Sequence, residues 1–211
     1  MKYIIMCGGD YKLFDKPKQL LEINGEPIIA RTIRLLKECG VDDIAISSNN
    51  PEFDRFGVPV LHHENVWEVR GIENVTGTWV NAFYPMDEPV CYLMGDVVFS
   101  PEAIKKIVNT STDSVEFFAS APPFSKQYYK PYAEPFGFKV VDTKYFRFCV
   151  DRVKTLEAEG KFRRHPIAWE LWSVIKTTPI NEINYSNYTV INDYTCDVDK
   201  VSDIDLFNGV V

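Results

Sequence analysis

The sequence predicts an α/β domain, a three-layer sandwich in which a mostly parallel sheet carries a small antiparallel addition. Short apolar runs alternate along the chain with longer segments of helical pattern, which is typical of a parallel sheet covered by helices. The 211 residues are enough for one sizeable core and few for two. With 45% apolar and 14% aromatic residues, a disordered chain is excluded. We therefore expect residues 1–211 to form a single domain.

The first elements are predicted from runs that are bounded by glycine and proline. Residues 2–7 form a mostly apolar run that is too short for a helix and ends at a glycine pair, so they predict a buried parallel strand. A helix is predicted over 27–39, because Pro27 suits a first helical position and Gly40 suits the residue just past a helix end. Further short apolar runs predict strands at 43–48, 58–61, 90–94 and 114–120.

The later elements continue this alternation and then change in kind. Ser100 is a good cap for a helix over 101–109, and the segment 137–141 alternates apolar residues as a half-buried strand does. A helix is predicted over 143–159. The segment 184–191 has the pattern of hairpin strands, so we expect the antiparallel addition there.

Charge and cysteine content exclude several classes of function. The chain has 23 Lys+Arg and 30 Asp+Glu, a formal net charge of −7, and no long basic run, so a DNA or RNA partner is not expected. No apolar run reaches the roughly 18 residues of a membrane span, and we expect a cytoplasmic protein without a membrane partner. The five cysteines are scattered and form no Cys-x-x-Cys pair, so neither a disulfide framework nor a zinc site is expected.

A loop rich in glycine and lysine follows the first predicted strand. The main-chain N–H groups of Gly8 and Gly9 can approach an anion closely, and Lys12, Lys16 and Lys18 supply positive charge suited to a triphosphate. The spacing is neither that of a P-loop nor Gly-x-Gly-x-x-Gly. From these residues alone, a phosphate-binding loop and a surface turn with solvated lysines both remain open.

The residues before and after the loop narrow its interpretation. The strand ends in Gly8-Gly9, a Pro-Lys pair ends at Lys18 nine residues after Gly9, and a Gly-x-Pro step ending at Pro27 opens the predicted helix. This signature resembles that of the nucleotidyltransferases that join an NTP to a phosphorylated sugar, alcohol or pterin cofactor, the enzymes with the MobA-like NTP transferase fold. The resemblance implies a Rossmann-like, GT-A-like nucleotidyltransferase fold and transfer of a nucleoside monophosphate with release of pyrophosphate.

The resemblance also implies roles for nucleotide-binding residues. Lys18 would be the catalytic charge neutraliser on the triphosphate. The family usually carries an Arg where this chain has Leu13, and the point charge of Lys12 does not reproduce the bidentate grip of a guanidinium. The other residues expected to line the triphosphate are Cys7, Gly8, Gly9 and Lys12. Thr76, Gly77 and Thr78 lie in a segment that resembles the family segment bordering the base and ribose. The start of a helix that contains a glycine explains these residues equally well.

Two acidic segments are candidates for a metal site. Asp96 directly follows an apolar strand, at the sheet edge where a carboxylate can hold Mg²⁺ against phosphates, although an Asp there also serves as a turn former. If the chain is extended at Asp197 and Asp199, the two carboxylates lie on one face and repel unless a cation relieves them. An exposed acidic strand end before a helix cap at Ser202 is the alternative. By resemblance, Asp96 and Asp199 are the catalytic metal ligands, with Asp197 second in line.

Two insertions are expected on the side of the second substrate. They lie near 122–135 and 161–172 and are rich in proline, aromatic residues and arginine. Arg163 and Arg164 are candidates for binding the acceptor's phosphate, since Arg suits a bidentate grip on phosphate. Tyr128 is a candidate for the wall of the acceptor pocket. Solvated arginines beside a buried helical face are the alternative.

Together these patterns predict a Mg²⁺-dependent nucleotidyltransferase. It would take an NTP, with CTP as a first choice from the resemblance, and a small phosphorylated acceptor such as a sugar phosphate or alcohol phosphate. A metal-dependent glycosyltransferase is an alternative, although that class usually carries Asp-x-Asp where this chain has Gly95-Asp96-Val97. A catalytically silent nucleotide sensor is another, motivated by Leu13. A monomer and a homo-oligomer are both compatible with the sequence.

Overall fold

The main element of the protein is a seven-stranded sheet, accompanied by two sheets of two strands each. The computed structural model describes residues 1–8, 14–62, 79–120, 133–207 and 209–210. The strands are β1 (Lys2–Met6), β2 (Glu22–Ile23), β3 (Glu26–Pro27), β4 (Ile44–Ser47), β5 (Val60–Leu61), β6 (Val90–Met94), β7 (Val97–Val98), β8 (Val115–Ala119), β9 (Pro135–Val140), β10 (Thr189–Val190) and β11 (Cys196–Asp197). The α-helices are α1 (Ile28–Glu38), α2 (Pro101–Asn109), α3 (Thr143–Ala158), α4 (Ala168–Ile175) and α5 (Asp203–Phe207).

The strand directions in the large sheet are mostly parallel. The strand order is β10-β8-β9-β6-β1-β4-β5. Strand β1 pairs in parallel with β4 and β6, and the outer pairs β4–β5 and β8–β10 are parallel as well. Strand β9 is antiparallel to both of its neighbours, β6 and β8. The predicted α/β fold with a mostly parallel sheet is therefore confirmed. We call the edge at which β1 and β6 end the carboxyl edge.

Helices cover the sheet and bury its strands. Every residue of β4 and of β6 is buried, which requires cover on both faces of the sheet. Tyr92 of β6 stacks on Phe146 of α3, with 5.9 Å between the ring centroids. Helix α1 packs against α2, and α3 packs against α4. In the part of the chain that the structure describes, no helix combines the length and apolar character needed to cross a bilayer.

Helix α1 begins one residue later and ends one residue earlier than the predicted span 27–39. Pro27 has extended backbone angles and pairs with Glu22 between β3 and β2, so the first helical residue is Ile28. Gly40 has φ +79° and its N–H donates to the carbonyl of Lys37 at 2.9 Å. This left-handed residue closes the helix end, as the sequence predicted.

The antiparallel strand of the large sheet is β9 and not the predicted hairpin over 184–191. In that segment the structure has only β10, which pairs in parallel with β8. The reason is the path of α4. It runs back along α3, so that the Tyr145 hydroxyl near the start of α3 donates to the carbonyl of Ile175 at the end of α4, at 2.6 Å. The chain thus returns to the starting edge of the sheet before β10 and enters in the same direction as β8.

All five cysteines are free thiols, and four of them are buried. Burial raises the pKa of the Cys91 thiol to about 12 and also raises that of Cys7. Cys39, at the end of α1, is partly exposed. We expect one thiol of the native protein, Cys39, to react readily with a dithiobis(nitrobenzoate) reagent and all five to react in denaturant. Native reaction of two or more thiols at the same rate would contradict the buried placement.

Candidate active site

Three charged side chains from distant parts of the chain meet at the carboxyl edge. The Lys18 ammonium nitrogen lies 3.5 Å from an Asp96 carboxylate oxygen and 3.8 Å from an Asp199 carboxylate oxygen. The Lys18 side chain is 20% exposed, against 33% for Asp96 and 50% for Asp199. The structure therefore brings together the lysine and the two acids that the sequence singled out, in a place that solvent can reach.

Lys18 is held by the buried residues on either side of it. It begins a short 3₁₀ turn, Lys18–Leu20, in which the Leu20 N–H donates to the carbonyl of Pro17 at 2.9 Å. Leu20 is 2% exposed and Gln19 is 8% exposed, so the turn is anchored in the core. The ammonium nitrogen also lies 5.7 Å from the centre of the Phe14 ring. This anchoring limits how far the lysine can move away from the acids.

Asp96 is placed by a close approach between β1 and the end of β6. The N–H of Gly95 donates to the carbonyl of Met6 at 3.0 Å. The carbonyl of Asp96 in turn accepts from the N–H of Val198 at 3.0 Å. The backbone of Asp96 is therefore fixed on one side by the first strand and on the other by the segment that carries Asp199.

Gly95 leaves no room for a side chain. A Cβ at this position would lie 2.4 Å from the Met6 carbonyl oxygen and 2.8 Å from the Cys7 sulfur. We expect Gly95→Ala to lower the free energy of unfolding by about 1–3 kcal/mol, because backbone has to shift to admit the methyl group. Urea denaturation measures this, with Gly209→Ala as the control, since a Cβ at Gly209 meets nothing within 4 Å. Equal unfolding midpoints for the two variants would contradict the close approach.

Asp199 follows a short strand that pairs beside Asp96. In the antiparallel pair β7–β11, Asp197 lies opposite Val97 and Cys196 lies opposite Val98. Val198 is fully buried, whereas Asp197 is partly exposed and Asp199 exposed. The alternation predicted for this segment is therefore present, and it leaves the carboxylates of both acids on the side away from the core.

A polar network that the sequence did not predict ties this segment to α1 and α2. Ser100 caps α2 and donates through its hydroxyl to a carboxylate oxygen of Asp193 at 2.6 Å. Its N–H donates to the Thr195 hydroxyl at 3.0 Å. Arg31, buried on α1, donates to the Tyr194 hydroxyl at 3.1 Å. A charged residue on an otherwise apolar helix face was the available signal for Arg31. Its partners Tyr194 and the carbonyl of Phe99 lie on distant segments and could not be predicted from the sequence.

Cys7 and Gly8 lie at the end of β1, next to Asp96. The Cys7 N–H donates to the carbonyl of Ser47 at 2.9 Å, and its own carbonyl accepts from the Ser48 hydroxyl at 3.2 Å. Burial, and secondarily the negative charge of Asp96, raises the pKa of the Cys7 thiol, so this thiol stays protonated. Cys7 thus secures the start of the loop. The other nucleotide-loop predictions, Gly9, Lys12 and Leu13, and those at Thr76, Gly77, Thr78 and Tyr128, lie outside the described residues.

The two arginines of the predicted acceptor cluster have different surroundings. The Arg164 side chain donates to the Glu170 carboxylate at 2.7 Å, and the other Glu170 oxygen accepts from the N–H of Ile167 at 2.9 Å. Glu170 is buried, so Arg164 neutralises the carboxylate that caps α4. Arg163 is exposed, and its N–H donates to the Asn181 side chain at 2.8 Å. Trp169 and Trp172, 2% exposed each, belong to the buried face of α4.

The pair Asp96 and Asp199 has the composition of a magnesium site. Among the described ranges, no group of three or more His, Cys, Asp or Glu side chains converges as a metal cage. Mg²⁺ does not need one, because it is commonly held by one or two carboxylates together with substrate phosphates and water. The two carboxylates already share one cation, the Lys18 ammonium, which shows that both reach a common point. The donors present therefore fit this ion.

A mostly parallel sheet with a lysine and two acids gathered beyond its carboxyl edge is typical of the α/β proteins that bind small molecules at this edge. Comparison with protein families is more specific. The profile of the MobA-like NTP transferase domain matches residues 3–165, more than half of the chain. The chain belongs to this family, and it is a nucleotidyltransferase.

Solved structures with the same fold include enzymes named as nucleotidyltransferases. A putative glucose-1-phosphate thymidylyltransferase from Bacillus anthracis is 15% identical with a TM-score of 0.64, covering 99% of this chain and 94% of its own. The inositol-1-phosphate CTP transferase from T. maritima is 15% identical with a TM-score of 0.57, covering 98% and 94%. The CTP:phosphocholine cytidylyltransferase from Streptococcus pneumoniae is 14% identical with a TM-score of 0.52, covering 99% and 98%. At these identities the likeness shows the fold.

Proposed function

We propose that this nucleotidyltransferase is Mg²⁺-dependent and transfers a nucleoside monophosphate from an NTP to a small phosphorylated acceptor, releasing pyrophosphate. The observation that carries the proposal is the Lys18 ammonium within 4 Å of both the Asp96 and the Asp199 carboxylates, as the family resemblance requires. A cation and two metal-binding acids at one point suit a reaction in which negative charge on phosphate oxygens has to be neutralised.

In the proposed reaction an oxygen of the acceptor's phosphate attacks the α-phosphorus of the NTP. A new P–O bond forms, the bond to the oxygen that bridges the α- and β-phosphates breaks, and pyrophosphate leaves with that electron pair. The attacking oxygen is already ionised near neutral pH, so no protein nucleophile or strong general base is required.

The side chains of the site act by holding charge in place. Lys18 stabilises negative charge on the α-phosphate and on the departing pyrophosphate. Asp96 and Asp199 are the residues that would hold Mg²⁺, with Asp197 as the neighbouring acid. When bound, this ion supplies positive charge to the phosphate oxygens. Because Lys18 and Asp96 are fixed by buried neighbours, the site needs little reorganisation during the reaction.

The remaining substrate contacts are proposed from the resemblance and from exposure. The main chain of Gly8 and Gly9 and the side chain of Lys12 would line the triphosphate, and Thr76–Thr78 would border the base. For the acceptor's phosphate we propose Arg163 and Tyr128. Arg164 is also exposed, but its side chain already donates to the Glu170 carboxylate. CTP is the proposed nucleotide, supported by two of the three structures above, which are named as CTP-using enzymes that act on inositol-1-phosphate and phosphocholine.

Pyrophosphate release tests the proposed function. The protein is mixed with Mg²⁺, each of the four NTPs and a panel of sugar phosphates and alcohol phosphates. We expect release with one NTP, CTP first, that depends on one class of acceptor and on the metal. Transfer from a nucleotide sugar without pyrophosphate release would indicate the glycosyltransferase alternative. NTP binding without release with any acceptor would indicate the sensor.

A further inference from the structure

We infer that Asp203 is a positioning residue that fixes Asp199 in the site, an inference that rests on the proposed function. Asp203 lies at the start of α5, four residues after Asp199. One of its carboxylate oxygens accepts from the N–H of Asp199 at 2.9 Å and from the N–H of Lys200 at 3.0 Å. The same carboxylate therefore binds the backbone of the proposed metal ligand and of the residue after it.

The two hydrogen bonds are of the strong kind and are well shielded. Bonds from N–H groups to an ionised carboxylate are about twice as strong as bonds between neutral groups. Asp203 is 2% exposed, so water does not compete for its oxygens. The N–H of Asp203 also donates to the carbonyl of Lys200 at 3.0 Å, which closes the turn in both directions. The turn over residues 199–203 is thus bound from both of its ends.

The position of this turn explains why it matters for Asp199. Strand β11 ends at Asp197, and the hydrogen bond from the Val198 N–H to the carbonyl of Asp96 extends its pairing beside β7 by one residue. Asp199 comes next, with half of its side chain exposed, and its carboxylate faces the like charge of Asp96. A rigid turn keeps the two acids close in spite of their repulsion. Such support residues typically change metal affinity by about 10- to 100-fold.

Asp203 itself is not placed as a metal ligand. The oxygen that accepts both N–H groups is engaged, and the Lys200 ammonium lies 4.0 Å from the other. The Lys200 side chain is 73% exposed, so this ion pair is weak. The contribution of Asp203 to the site therefore passes through the backbone of Asp199, and Lys200→Ala provides a matched control that leaves the two N–H bonds in place.

The test compares Asp203→Asn, Asp203→Ala and Lys200→Ala with the natural protein. Asparagine keeps an acceptor oxygen and loses the charge, whereas alanine loses the acceptor. The first measurement is hydrogen exchange of the amides at residues 199 and 200, which needs no substrate. The second is the Mg²⁺ concentration that gives half-maximal pyrophosphate release at saturating NTP. We expect the amide exchange rates and the half-maximal Mg²⁺ concentration to rise in the order natural protein, Asp203→Asn, Asp203→Ala. The half-maximal Mg²⁺ concentration of Asp203→Ala should be about 10-fold higher or more. Lys200→Ala should match the natural protein in both measurements.

The outcomes separate this inference from general damage and from the proposed function. A variant that is only destabilised loses active molecules and hence kcat, but its half-maximal Mg²⁺ concentration stays the same. Natural exchange rates, or an unchanged Mg²⁺ requirement in an active Asp203→Ala protein, would overturn the inference. If Asp203→Ala does not fold, the same comparison is decided by Asp203→Asn. If the natural protein releases no pyrophosphate while the exchange order holds, the proposed function fails and the placement of Asp199 by Asp203 stands.

Discussion

Replacing Lys18 with alanine is expected to lower kcat for pyrophosphate release by about 10²-fold or more. The ammonium group lies within 4 Å of both acids, and loss of one preorganised contact to developing charge typically costs this much. Steady-state kinetics at saturating Mg²⁺ and NTP measure the change. Lys18→Arg keeps the charge but changes its shape and reach, so we expect an intermediate rate.

The control for Lys18→Ala removes one positive charge elsewhere. Lys105 is exposed on α2, away from the carboxyl edge, so Lys105→Ala is expected to leave kcat within about twofold of the natural protein. The melting temperature of Lys18→Ala should change little, because partly exposed ion pairs contribute only about 0–1 kcal/mol. A natural rate in Lys18→Ala would exclude Lys18 as the residue that neutralises the triphosphate.

The second large effect is expected for Asp96→Asn, again about 10²-fold or more in kcat. Asparagine keeps the size of the side chain and removes the charge that faces Lys18 and, through the shared ammonium, Asp199. A neutral amide is a poor ligand for Mg²⁺ compared with a carboxylate. We therefore expect a higher Mg²⁺ requirement together with the lower rate, measured as pyrophosphate release over a range of Mg²⁺ concentrations.

Stability distinguishes loss of chemistry from loss of fold in Asp96→Asn. The substitution relieves repulsion from Asp199 but also removes the partly exposed ion pair with Lys18, so the unfolding midpoint should stay close to that of the natural protein. Asp113→Asn, at an exposed position before β8, is the matched control and should keep both rate and stability. A natural Mg²⁺ requirement in Asp96→Asn would remove Asp96 from the proposed metal site.

The fold was predictable where local pattern determines the element. Apolar runs in the sequence predict buried strands such as β1 and β6, and glycine residues predict where helices end. The shared role of Lys18, Asp96 and Asp199 was predicted from the family resemblance, and only Asp96 was also placed at the sheet edge by the strand before it. The direction of β10 was not predictable in the same way, because it depends on α4 turning back along α3.

The support of the site was the part that sequence reasoning missed. Arg31 and Asp193 find partners on other elements, and contacts of this kind exist only after the fold has formed. The bond from the Ile167 N–H to Glu170 was easier to predict, since a Glu at the third position of a helix is a known capping pattern. Asp203 also bonds to residues close to it in the chain, Asp199 and Lys200. However, no distinctive residue spacing in a sequence marks a buried carboxylate that accepts from the backbone before it.

The assembly of the site from distant segments has a consequence for folding kinetics. Lys18 and Asp96 are separated by 78 residues, and Asp199 lies further still along the chain. Closing such loops costs entropy before any contact between these side chains forms, whereas helices such as α3 need only neighbouring residues. During refolding, helical signal should thus return well before the ability to bind a nucleotide, because the candidate site needs the same long-range pairing as the sheet and cannot appear before β1 and β6 have paired.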